Sequence, residues 1–169
     1  PTANSVLTKI LEDTNQEPMV RHEAAEALGA IGTPESIEIL RKYEHDDVIE
    51  VAETCQLAAK RIEWLQNRKE EKLSENPYMS VDPTPPSEEK SMEELAFVLL
   101  NSSDLYERYR AMFTLRNKRT KEAVLALSAG LKSGSALFRH EIAFVLGQLQ
   151  SEHSVPFLVE SLEDAQENE

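Results

Sequence analysis

Four stretches of the chain repeat one apolar spacing. Ala24, Ala27, Leu28 and Ile31 fall at i, i+3, i+4 and i+7, and Ile142, Val145, Leu146 and Leu149 do the same. That is a single stripe on an α-helix. VIEVAETCQLAAKRI (48–62) and ERYRAMFTLRN (107–117) lie between them, with Leu57 and Leu115 in the places of Leu28 and Leu146. Each has an amphipathic segment before it: SVLTKILED (5–13), TPESIEILRKY (33–43), SMEELAFVLL (91–100) and TKEAVLALSAGL (120–131). In the second of these, Thr33 is the expected N-cap and Pro34 the first helical residue. The pattern is a set of helix pairs roughly 30 residues long, joined by short turns such as GTP and KSGS. It predicts an all-α fold, an α-solenoid of HEAT-like helix pairs.

Residues 66–90, QNRKEEKLSENPYMSVDPTPPSEEK, break this period. The prolines and the charge run predict a linker, extended around Pro83–Pro86. The expected organisation is residues 1–65 as repeats of a first half, 66–90 as linker and 91–169 as repeats of a second half. VPFLVESLEDAQENE (155–169) reads like SVLTKILED followed by TNQE, the segment that leads into PMVRHE in the first half. The repeat therefore predicts a further Arg-His-Glu beyond Glu169 and another before Pro1. The chain reads as an internal piece of a longer protein.

Composition narrows the setting. Ala, Leu and Glu, all helix formers, are plentiful in 169 residues that carry only 5 glycines. The single cysteine, Cys55, forbids an internal disulfide and predicts a reducing, cytoplasmic setting. Cys55 sits at core spacing and is expected to be buried packing. No apolar run approaches the roughly 20 residues of a membrane helix, so no membrane is expected. A net charge of −13 disfavours nucleic acid, whose phosphates need basic surface, and favours basic partners.

The candidate chemistry lies in a repeated tripeptide. RHEAAEALGAIG (21–32) and RHEIAFVLGQLQ (139–150) share Arg-His-Glu and, at equal distance, Leu-Gly. On a helical wheel of about 100° per residue centred on Ala24, His22 falls near 160°, above Glu26 and Gly29, and Glu23 near 260°. His140 and Glu141 repeat this, with Gly147 in the place of Gly29. Both histidines are expected to point away from the core stripe, with small residues leaving room for something to approach. Adjacent His and Glu diverge, so one pair is a poor chelate. Several pairs lending imidazole and carboxylate to a shared centre suit non-haem iron. The simpler reading is a solvated helix face kept by duplication. Arg21 and Arg139 are expected to make inter-repeat ion pairs. Met19, two residues before Arg21, is a weak candidate for substrate contact.

QEPMVRHEAAEALGAIGTPE, VIEVAETCQLAAKRIEWLQ, PYMSVDPTPP, ERYRAMFTLRN and GSALFRHEIAFVLGQLQ together resemble the deoxyhypusine hydroxylase family across nearly the whole chain. The resemblance implies a HEAT-repeat enzyme whose two halves face each other across a non-haem di-iron centre with four His-Glu pairs. It implies hydroxylation of the deoxyhypusine side chain of a translation initiation factor, with O2 as co-substrate and two Fe(II) per complete enzyme. His22 and Glu23 match the second pair, and His140 and Glu141 the third, as metal ligands. With two of four pairs present, the chain on its own is expected to be inactive. The competing reading is a metal-free, acidic HEAT-repeat interaction scaffold.

Overall fold

In the computed structural model the described residues are 2–67 and 72–167. The helices run α1 Thr2–Glu12, α2 Pro18–Ile31, α3 Ser36–Tyr43, α4 Ile49–Gln66, α5 Met92–Asn101, α6 Leu105–Lys118, α7 Lys121–Ala129, α8 Ala136–Leu149 and α9 Val155–Glu163. Short 3₁₀ turns at Gly130–Lys132 and Glu152–Ser154 follow α7 and precede α9. The sole β feature among the described residues is an isolated antiparallel bridge, Leu73 to Glu88. The architecture is the expected all-α solenoid of helix pairs.

The local chemistry explains where helices start and stop. Ser91 and Glu94 form a reciprocal capping box at α5. Asp104, Thr120 and Ser135 each accept a backbone N–H in the first turn of α6, α7 and α8. Gly32 closes α2 in the left-handed region, at φ 75°. Thr33 does not cap α3. Residues 33–36 form a turn, closed by Ser36 N–H to the Thr33 carbonyl. The Thr33 hydroxyl instead meets Ser36 Oγ at 3.0 Å and accepts from Asn4 Nδ2, tying the turn to α1.

Two compact units emerge, Pro1–Glu71 with Val81–Pro85, and Lys72–Ser80 with Pro86–Glu169. In the first, α2 packs on both α1 and α4, and α3 on α4. Leu11, Leu28, Leu40, Val51, Cys55 and Ile62 form its fully buried centre, so Cys55 is packing, as expected. In the second, α5 packs on α6 and α7 on α8 around Tyr109, Phe113 and Phe138. The Tyr109 ring stands edge-on to Phe138 at 5.7 Å.

Gln66, expected in the linker, ends α4; the rest of the proline-rich segment holds no helix in its described part, and residues 68–71 lie outside the described residues. From Asp82 to Ser87 it is held by hydrogen bonds. Arg61 Nε donates to the Asp82 carbonyl at 3.1 Å, and Thr84 and Pro85 are buried in the first unit. In the second unit, Ser87 N–H donates to Thr114 Oγ1 at 2.7 Å, and Arg110 donates to the Pro86 carbonyl.

Candidate functional site

Both Arg-His-Glu motifs sit in the first turns of the second helix of a pair, α2 and α8. The arginines brace neighbouring repeats, as expected. Arg21, nearly fully buried, donates Nε to the Leu11 carbonyl at 3.0 Å and forks onto the Asp46 carboxylate at 3.2 and 2.5 Å. Asp46 is thereby held below its ordinary carboxylate range, chiefly by the hydrogen bond from Arg21. Arg139 makes the matching pair with Glu167, at 2.5 to 2.9 Å. Arg108, outside any Arg-His-Glu motif, repeats the brace. Its Nε donates to the Leu99 carbonyl at 2.8 Å and its Nη2 to Ser133 Oγ at 2.9 Å.

The histidines differ from one another. His22 is 6% exposed, so it does not stand on an open face. Its Nδ1 lies 2.6 Å from Thr54 Oγ1 on α4. The room left by the small residues is filled by that helix, for Gly29 abuts Ala58. The buried arc of α2 runs from Ala24 through Arg21, Leu28 and Ala25 to Gly29 and His22, while Ile31, counted in the apolar stripe, is 46% exposed. The reason is that α2 is sandwiched between α1 and α4. Ala25 and Gly29 admit a close neighbour without announcing themselves as apolar bulk.

His22 Nε2 lies on the other side of the ring, 3.7 Å from Glu26 Oε2. Glu23, on the next residue's face, is exposed, as is Met19 one turn earlier. So the carboxylate that approaches the His22 ring is Glu26, four residues on, and the adjacent Glu23 diverges.

On α8 the expectation for the histidine holds. Leu137, Phe138, Ile142, Val145 and Leu146 are buried, and His140 is exposed. His140 lines a groove of about 490 Å³ between α8 and α9, with Arg139, Leu158 and Glu167 among its walls. A β-carbon added at Gly147 would meet nothing within 4 Å. Glu141 is half-buried on a different face. Among the described residues no three His, Cys, Asp or Glu converge tightly enough to hold a metal ion. The donor types present, imidazole nitrogen and carboxylate oxygen, are ones that non-haem iron accepts.

Thr54 and Glu26 are the residues that the motif alone does not single out. Thr54 was detectable as the lone hydroxyl in the helical run Ile49 to Gln66, and Glu26 by its i+4 spacing from His22.

HEAT repeats match residues 1–60 and 92–169. The chain belongs to the HEAT-repeat family. Deoxyhypusine hydroxylase of Drosophila melanogaster is 59% identical over 99% of this chain, and that of Danio rerio 60% identical over 99%. A solved structure of human deoxyhypusine hydroxylase in complex with glycerol superposes with a TM-score of 0.91 at 58% identity, covering 99% of this chain and 58% of that one. The resemblance read in the motifs therefore holds over the whole sequence. The chain spans about half the length of these relatives, 56% of the fly and fish proteins. No helix among the described residues is long and apolar enough to cross a membrane.

Proposed function

We propose that this chain is part of a deoxyhypusine hydroxylase, an iron-dependent monooxygenase that converts the deoxyhypusine side chain of a translation initiation factor to hypusine. The observation that carries this reading is the identity of 59% along 99% of the chain to proteins of that name. His22 and Glu23, and His140 and Glu141, are the proposed ligands, contributing to two Fe(II) in the complete enzyme with O2 as co-substrate. Iron bound there would supply the activation of dioxygen.

The chain's own residues have separate tasks. The Arg21 brace fixes the start of α2 and with it the backbone of His22 and Glu23. Arg139 does so for α8. His22 is oriented by α4, while Glu23 stays exposed to accept either a metal or a substrate ammonium. Met19, 58% exposed and one turn before Glu23, is placed to touch the aliphatic part of a substrate side chain. The net charge of −13 attracts a cationic side chain and a basic carrier domain in a cytoplasmic setting.

The test is iron per chain after anaerobic loading, for this chain and for the longer protein, with and without His22→Ala plus His140→Ala. The longer protein is expected to hold about two irons and to lose them on substitution, while this chain alone is expected not to hydroxylate deoxyhypusine. If the longer protein holds no iron, or the substitutions leave its iron unchanged, the metal reading fails. The chain is then an acidic HEAT-repeat scaffold.

A further inference from the structure

A threonine hydroxyl has one proton and two lone pairs. The Thr54 hydroxyl lies 2.8 Å from the Glu50 carbonyl, one turn earlier in α4, and donates to it. That carbonyl only accepts, so the proton is committed. In the 2.6 Å contact with His22, Thr54 Oγ1 is then the acceptor and Nδ1–H the donor. Thr114 on α6 shows the same arrangement with a donor whose identity is fixed. Its hydroxyl donates to the Arg110 carbonyl at 2.8 Å and accepts from the backbone N–H of Ser87 at 2.7 Å.

A neutral imidazole carries one ring proton. With that proton on Nδ1, the Nε2 of His22 keeps a lone pair. The Glu26 carboxylate, 3.7 Å away, is too far for a hydrogen bond that would demand a proton on Nε2. His22 and Thr54 are 6% and 5% exposed, so water competes poorly for either group.

We infer that Thr54 is a positioning residue: its hydroxyl holds His22 in the Nδ1–H tautomer and leaves the Nε2 lone pair, on the side of the ring toward Glu26, available to a metal ion. The tautomer follows from the hydrogen bonds alone, and only the use of the lone pair rests on the proposed iron chemistry. A metal-bound imidazole usually has its second nitrogen anchored in this way.

The experiment is long-range ¹H–¹⁵N NMR of the full, metal-free chain with ¹⁵N-labelled histidine, at about pH 8.5, roughly two units above the usual histidine value. His22→Gln assigns the His22 signals by their loss. The expected result is an Nδ1–H ring for His22 in the wild type and in Thr54→Ser, and conversion to Nε2–H in Thr54→Val. The inference is overturned if wild-type His22 is Nε2–H, which decides the matter even if Thr54→Val does not fold. It is overturned equally if folded Thr54→Val keeps the Nδ1–H ring. Fe(II) uptake by the longer protein is a separate readout. Nδ1–H at His22 with no iron bound sinks the metal reading and leaves the role of Thr54 intact. Iron bound with Nε2–H at His22 does the reverse.

Discussion

Gly29 on α2 and Ala58 on α4 touch so closely that a β-carbon built on the glycine would lie 2.6 Å from the alanine's own. Real methyl carbons do not approach that far. The crossing of α2 over α4 therefore depends on a missing side chain, and His22 hangs from the same face. Gly29→Ala is expected to force the helices apart, costing about 1–3 kcal/mol in spite of alanine's better helix propensity. Urea unfolding measures it, and the double substitution Gly29→Ala plus Ala58→Gly should recover much of the loss. A neutral or stabilising Gly29→Ala would show that the helices part freely.

Gly147 occupies the equivalent place in α8 with open space around it. There the helix propensity acts alone, and Gly147→Ala is expected to stabilise the chain by about 0.5–1 kcal/mol. The same substitution at matched repeat positions thus has opposite signs. A shared sign in the two denaturation curves would contradict the packing difference between α2 and α8.

That contrast marks how much was legible in the sequence. Periodicity identified the helix pairs because apolar bulk at i, i+3, i+4 and i+7 has few other uses. It placed His140 correctly, since α8 buries one stripe centred on Ile142 and Leu146. It misplaced His22, because α2 is covered on two sides and one of its contacts is made by alanine and glycine, which carry little hydrophobic signal. The Thr33 cap failed for a related reason: Asn4, far away in sequence, engages its hydroxyl. Arg108 and Arg21 share a structural role, yet only Arg21 is flagged by a repeated tripeptide. The partner that orients His22 lies 32 residues on, at a distance that no local pattern encodes.

Cys55 lies fully buried between α4's neighbours, and burial pushes its thiol up to about 12. The reactive species is the thiolate, so near neutral pH the native thiol is protonated as well as covered. Labelling with a thiol reagent in increasing urea should follow the unfolding curve and show no fast native phase. A rapid native reaction would mean that this core opens locally.

The Arg21–Asp46 pair predicts a pH dependence. Both side chains are largely buried, 4% and 9% exposed, and Arg21 holds the Asp46 carboxyl below its ordinary 3.8. A depressed carboxylate contributes stability that is complete above its unfolded value and is lost as pH falls through the lower folded one. Arg21 is shifted upward, so its share is lost only at strongly alkaline pH. Stability should therefore fall as pH drops below about 3.8, and Asp46→Asn should flatten that part of the profile. At neutral pH the same substitution leaves a buried guanidinium without its counter-charge and should cost about 3 kcal/mol, the low end for a broken buried pair, because asparagine keeps one acceptor oxygen. Glu160→Gln is the control. Its partner Lys132 is 59% exposed and Glu160 itself 60%, so losing that pair should not move the urea midpoint measurably. Equal effects from the two substitutions would mean that the Arg21 brace does not hold α2 in place.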